Sequence, residues 1–350
     1  MKIAIDCRMI GSGGIGSYIS ALLPFFTENF DCLLFGNPDQ LRQYERKNVE
    51  IEDCTVKTFS LKEIFRFPHI LLKKINSCDI YYSPYCNVPG KIRIPVYTTI
   101  HDVVFLDVPG LASKTGTFIR KLCYLYAVSK SKKIFTVSEF SKERIIYHLK
   151  CRKDVVVTYN AVPEWFINKD EKIPEDKKDY LLFVGNIKKH KGLTVLLDAF
   201  LEAKKNGFSG SLKIVGNAEN FRTNDTEVLQ KIQEAPENTV QFTGKISDAE
   251  LKTLYASALR LVQPSFYEGF GMPPLEAMSL GTKVILSDIP VFKEIYRNFP
   301  VEFFKTGDKN DLAKKILSIN SDKNILEKIP SVYSFERTFS IIKTTLEENS

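Results

Sequence analysis

Short apolar runs alternate with amphipathic stretches along the whole chain, and this alternation restricts its possible folds more than any other feature. KIAIDCRM, CLLFG, IYYSP, VYTTIHD, KIFTVS and DVVVTYNAV read as strands in the first half, and DYLLFVGN, SLKIVGN, TVQFTG, LRLVQPS and TKVILSD in the second. Between them GSYISALLPFF, FSKERIIYHL, GLTVLLDAFLEAKKNG, SDAELKTLYASA and PPLEAMSLG carry apolar residues at helical spacing. Strands this apolar have no solvated face, so both sides of the sheet must be covered. Strand, helix, strand repetition supplies that cover and calls for parallel sheets in an α/β fold.

At 350 residues the chain is too long for one ordinary core and suits two domains of roughly 150 residues each. INKDEKIPEDKKD, residues 167–179, is charged, contains Pro174 and lacks a periodic apolar face, so it reads as a linker. The expected domains are therefore 1–166 and 180–333, each a Rossmann-like sheet. Ligands of open parallel sheets bind beyond the carboxyl ends of the strands. Two such sheets facing each other would hold a donor and an acceptor in the cleft between them, which suits a transfer reaction.

Hydrophobic residues at 44% and charged residues at 26% are a globular composition. The opening MKIAIDCRMI reads as a buried strand without a cleavage site, and no run reaches the ~18 apolar residues that span a bilayer. A cytoplasmic protein is expected. All seven cysteines lie in the first 151 residues without a C-x-x-C pair, and the four histidines are scattered, which argues for reduced, buried thiols and against a zinc site. The net charge of +7 is uneven: residues 61–153 hold 17 Lys/Arg against 6 Asp/Glu, a local +11. Such a basic face suits an anionic membrane surface or a phosphorylated acceptor, or is simply a solvated surface. The stretch has no recognition-helix or RNA-binding signature, which sets nucleic acid aside.

The densest signal is PSFYEGFGMPPLEAMSLGTKVILSD. A strand runs into the loop FYEGFGM and then into a helix opening at Pro273-Pro274, where a missing N–H costs nothing. Gly269 and Gly271 permit close backbone approach, and the free N–H groups of the helix start make a phosphate site. Glu268 in the loop and Glu276 about one turn into the helix are separated by seven residues, and both can point into one hollow.

This string resembles the retaining GT-B glycosyltransferases of the fourth sequence family, in particular transferases that build bacterial surface polysaccharides. The resemblance implies a GT-B fold, with two Rossmann-like domains and a last helix, 334–350, that rejoins the first domain. It implies that Glu276 holds the ribose of a nucleotide-sugar donor, that Glu268 contacts the donor sugar, and that Phe270, Gly271 and Met272 offer backbone amides. In LLFVGNIKKHKG, Lys191 matches the family lysine that meets the diphosphate. The companion arginine is replaced by Asn186, so Lys188 is the candidate second cation, ahead of Lys189. Ile246 sits where the family packs the base. IGSGGIGSY resembles the family's GGxGxY loop over the donor phosphates, with Gly13 and Gly14 as contacts, and His101 matches a histidine facing the donor sugar. Asp102 is expected to orient that imidazole or to cap, Ser138 to start a helix that either binds an acceptor phosphate or ends a strand, and Asn160 to fix the hinge.

The expected activity is retaining, metal-independent transfer of a hexose, GDP-mannose being the first donor candidate, to a glycan or polyprenyl-diphosphate-linked acceptor. Fixed cations would stabilise the departing diphosphate in place of a metal ion. Two alternatives stand beside it. IGSGGIGSY also contains G-x-G-x-x-G (Gly11, Gly13, Gly16), the mark of an NAD(P)-dependent oxidoreductase, although Asp31 precedes CLLFG and no acid ends that strand. A nucleotide-sugar sensor without turnover is the other.

Overall fold

A computed structural model describes residues 1–167, 177–216, 226–244, 246–319 and 328–348. By internal contacts the chain separates into two units, Met1–Ala161 with Ser331–Ser350, and Val162–Pro330.

In the first unit the described strands are β1 (Lys2–Asp6), β2 (Asp31–Gly36), β3 (Val49–Asp53), β4 (Ile80–Ser83), β5 (Val96–Thr99), β6 (Ser131–Thr136) and β7 (Val155–Val157). They form one parallel sheet in the order β3-β2-β1-β4-β5-β6-β7. Alternate residues feed opposite faces. Ile3, Ile5, Leu34 and Tyr82 join a core with Tyr18, Leu22 and Phe26 of the helix Gly13–Asn29. Ala4, Leu33, Phe35 and Tyr81 join another with Tyr124 and Ala127 of Lys114–Lys130 and with Ile145 and Leu149 of Glu139–Leu149. The period-2 geometry of a strand thus meets cover on both faces.

The helix Phe335–Glu347 completes the first of these cores. Phe339 stacks on Phe25 at 5.5 Å and stands edge-on to Phe26 at 5.1 Å, while Thr338 Oγ1 donates to the Thr158 carbonyl at 2.8 Å.

The second unit contains β8 (Lys178–Val184), β9 (Ser211–Val215), β10 (Val240–Gly244), β11 (Ala258–Gln263), β12 (Val284–Ser287) and β13 (Val301–Phe304), parallel in the order β10-β9-β8-β11-β12-β13. Leu181, Phe183, Leu212 and Ile214 pack against the helices Leu193–Lys205 and Lys309–Leu317. In this order the chain leaves β8 toward one side of the sheet and β11 toward the other. The loops after these two adjacent strands therefore flank the switch point, where ligands of such sheets bind.

The sequence reading overlooked two strands, β3 and β13, and both lie at sheet edges. Glutamates interrupt both apolar runs, Glu50 and Glu52 in β3 and Glu302 in β13, whereas the edge strand β7 keeps an unbroken VVV. In β3, VEIED, Glu50 pairs with Lys2 and Lys74, and Glu52 with Lys74. The unit boundary, between Ala161 and Val162, falls ahead of the expected end at 166, because Phe166 stands edge-on to Tyr255 at 5.9 Å within the second unit. The second boundary, between Pro330 and Ser331, likewise precedes 333. Of the expected linker 167–179, residues 168–176 lie outside the described residues, and Lys178 already opens β8, paired with Ala258.

Candidate active site

β8 ends in a turn that leads to a single 3-10 turn, Lys189–Lys191, and then to the helix Leu193–Lys205. Gly192 joins them at φ +70°, and a Cβ there would lie 2.0 Å from the Pro264 carbonyl oxygen. Only glycine lets this turn press on the backbone that leaves β11. The Phe266 N–H donates to the His190 carbonyl at 2.8 Å, so the loops after β8 and β11 are fastened together.

That fastening brings Lys191 to Glu268. Lys191 Nζ lies 2.8 Å from Oε1 and 2.7 Å from Oε2 of a carboxylate whose residue is only 8% exposed. Ser265 Oγ donates to the same Oε1 at 2.7 Å, and Ser287 Oγ holds the Ser265 carbonyl at 2.5 Å. A short buried carboxylate thus carries a charge-assisted pair and a hydroxyl, which fixes its position before any ligand arrives. His190, next to Lys191 in the chain, is only 7% exposed. Burial, and then the positive charges of Lys191 and Lys188, push its imidazole down to about 4, so it is neutral at pH 7. The sequence reading gave His190 no role; its only signal was a histidine between two lysines in a glycine turn.

The loop after β11 ends at Gly271, φ +89°, where a Cβ would meet the Phe292 ring at 2.4 Å. Gly271 is the N-cap of the helix Met272–Ser279, so no side chain covers the amides of its first turn. Tyr296 donates its hydroxyl to the Gly271 carbonyl at 2.5 Å, and Phe270 is buried beside it. Pro273 and Pro274 carry no N–H, so Met272 supplies the first-turn amide, and an amide at the positive end of a helix dipole suits a phosphate. Glu276 follows one turn later and accepts from the Tyr255 hydroxyl at 2.6 Å on Oε2. Desolvation raises its carboxyl to about 7; the Tyr255 bond opposes that rise and the charge of Asp248 adds to it.

The remaining candidates fall around this frame or in the other unit. Lys188 and Lys189 are exposed, and Asn186, at the position of the family arginine, is exposed as well. Ile246 is half-buried, directly before a helix closed by a Ser247–Glu250 capping box. In the first unit Gly13 and Gly14 open the helix Gly13–Asn29, and a Cβ at either would enter open space. Tyr18 of that helix stands edge-on to His101, with centroids 4.7 Å apart. His101 Nε2 lies 2.9 Å from the Pro84 carbonyl, which can only accept, so Nε2 carries the proton and Nδ1 is left as an acceptor. Burial lowers the pKa of this imidazole. Asp102 Oδ1 accepts from the Val104 N–H at 3.0 Å, just ahead of the short helix Val104–Asp107. Ser138 caps the helix Glu139–Leu149 through the Ser141 N–H at 3.0 Å. Asn160 Oδ1 accepts from the Ala161 N–H at 3.0 Å.

Residues 164–331 match the family described as glycosyl transferases group 1. O-antigen chain mannosyltransferase B of Escherichia coli is 30% identical over 228 residues, 62% of this chain and 58% of its own length. O-antigen chain mannosyltransferase RfbU of Salmonella typhimurium is 34% identical over 208 residues, 57% of this chain and 54% of its own. The chain thus spans a little over half the length of these curated relatives. Among solved structures, Anabaena Alr3699/HepE in complex with UDP and glucose superposes with a TM-score of 0.73 at 17% identity, covering 99% of this chain and all of that one. This likeness gives the chain the GT-B fold. The oxidoreductase alternative finds no support: the relatives are glycosyltransferases, and Asp31 opens β2 instead of ending it, leaving no acid where a dinucleotide ribose would sit.

Proposed function

We propose that this chain, a GT-B protein that belongs through residues 164–331 to the glycosyl transferases group 1 family, is a retaining hexosyltransferase of cell-surface polysaccharide synthesis. The observation that carries the reading is the Lys191–Glu268 pair at the β8/β11 switch point, beside the uncapped start of the helix Met272–Ser279. A nucleoside diphosphate leaving an anomeric carbon gains negative charge. Lys191 and the amides of Phe270, Gly271 and Met272 are fixed dipoles and charge aimed at such a leaving group, and they need no metal ion to act. Lys188 is the second cation, Glu276 grips the ribose and Ile246 packs the base.

In the reaction the anomeric C–O bond to the diphosphate breaks with oxocarbenium character. The acceptor oxygen bonds to the anomeric carbon from the face the diphosphate leaves, and the acceptor proton passes to the departing diphosphate. Glu268, held by Lys191 and Ser265, contacts the sugar without forming a covalent bond to it. The donor is a nucleotide sugar, GDP-mannose first and UDP-hexoses next. The names of the O-antigen relatives support mannose, and the UDP bound by HepE supports the uridine alternative.

The acceptor is a glycan or polyprenyl-diphosphate-linked oligosaccharide at the inner face of the membrane. No helix among the described residues is long and apolar enough to cross a bilayer. The helix Lys114–Lys130 nevertheless exposes Phe118, Ile119 and Leu122 beside the exposed Lys114 and Lys121, in the segment that carries +11. Apolar side chains among cations suit an anionic lipid surface.

The test is product analysis: mass spectrometry of mixtures containing each nucleotide sugar and a lipid-linked acceptor extract, with the anomeric configuration read by NMR. One donor should yield a product of retained configuration. An inverted product removes the mechanism, and donor binding with no turnover or hydrolysis leaves the sensor in its place.

A further inference from the structure

Glu276 sits on a helix start in a half-buried position where its charge is poorly solvated, yet a ribose ligand must be anionic or nearly so to accept two hydroxyls. The structure supplies one group that favours the charged form. Tyr255, fully buried in the helix Asp248–Ser257, reaches across to Oε2 of Glu276 at 2.6 Å. Its own placement is tightly determined. The ring stands edge-on to Phe166, and the backbone carbonyl accepts from Thr282 Oγ1 at 2.5 Å. Thr282 Oγ1 in turn accepts from Lys177 Nζ at 2.5 Å, so three segments of the second unit converge on this tyrosine.

Resting on the reading proposed above, we propose that Tyr255 is the positioning residue for the nucleotide: its hydroxyl occupies Oε2 of Glu276 and turns Oε1 toward the vicinal hydroxyls of the pentose. A carboxylate has about four lone-pair directions, and a fixed donor on one oxygen leaves the other oriented and free to accept. The same bond favours the ionised form, opposing the desolvation that raises this carboxyl to about 7. Without it, burial and the charge of Asp248, the other ionised group acting on Glu276, both favour the protonated acid, a poorer acceptor for a diol. Tyr255 never touches the ligand in this arrangement; it acts through Glu276.

The experiment is calorimetric titration of the parent, Tyr255→Phe, Glu276→Gln and the double variant with UDP, GDP and their 2′,3′-dideoxy analogues between pH 6 and 9. Tyr255→Phe should weaken the ribonucleotide roughly tenfold at pH 7, the scale of one lost hydrogen bond to a charged group, and leave the dideoxy analogue within about twofold. The loss should shrink toward pH 9, where the acid ionises regardless, and should vanish in the Glu276→Gln background. Equal weakening of both analogues, or a pH profile unmoved by the substitution, assigns Tyr255 a purely structural role and overturns the proposal. A parent that binds no nucleoside diphosphate removes the glycosyl-transfer reading and this inference with it, an outcome distinct from the two before.

Discussion

Lys191 and Glu268, 77 positions apart in sequence, lie 2.7 Å apart where the loops leaving β8 and β11 meet. Each stabilises the charge of the other in a place with little water, and each is positioned by backbone that only glycine and a short 3-10 turn permit. On the proposed reading a ligand diphosphate shares Lys191 with Glu268, so the lysine is partly committed before the donor arrives.

Removing the lysine should therefore separate stability from chemistry. Lys191→Met leaves Glu268 buried with Ser265 as its neutral partner and should lower the melting temperature, whereas Lys191→Met with Glu268→Gln should recover it. Neither variant should recover turnover, which is expected to fall roughly a hundred- to a thousandfold, the range for loss of one preorganised charge-stabilising group. Steady-state kcat beside a thermal melt decides it. Unchanged kcat in Lys191→Met ends the leaving-group role.

Glu276→Ala should weaken nucleoside diphosphate binding while kcat at saturating donor changes less, measured by titration and initial rates. The carboxyl also carries a stability signature. Its native pKa of about 7 stands above the ordinary 4.5, so between these values the folded chain keeps a proton that the unfolded chain has lost. Stability must then decline as pH rises from about 4.5 to about 7, and Glu276→Gln should flatten that decline in denaturant titrations.

His190 carries the opposite sign. Its native value near 4 lies below the ordinary 6.5, so acid protonates the unfolded chain first. The stability due to keeping it neutral is complete above about 6.5 and is lost as pH falls toward 4, up to about 3 kcal/mol. Replacing it by Asn should make unfolding less sensitive to acid in that window. An identical acid profile in parent and variant contradicts the burial argument.

Phosphatidylglycerol vesicles at low salt should retain the parent protein, and 0.5 M salt should release much of it by screening. Phe118→Ser/Ile119→Ser/Leu122→Ser should reduce co-sedimentation roughly tenfold, since transfer of exposed apolar side chains into lipid drives the contact. Parent protein that ignores anionic vesicles removes the membrane surface from the list of partners.

Much of the site could be read from residue order. Glu268, the glycine loop, the prolines and Glu276 occupy one contiguous string, and local chemistry alone marks it as a loop entering a helix start. The buried strands were equally legible, because a strand covered on both faces must be apolar throughout. β3 and β13 were not read: each is short, and glutamates (Glu50, Glu52, Glu302) break the apolar run by which the other strands were recognised.

From the amino-acid sequence by itself came the α/β class, the parallel sheets and the glycine loop that enters a helix start, since each depends on periodicity or on neighbours within a few positions, while the roles expected for Lys191 and Glu276 came from the family resemblance. Which carboxylate meets which partner was decided only when the chain folded. Glu268 takes Lys191 from 77 residues away, and Glu276 takes the hydroxyl of Tyr255 from 21. Those pairings depend on two crossings of a sheet at its switch point, and the electrostatics of a half-buried acid depend on which dipoles and charges surround it in space, a quantity that no linear spacing contains.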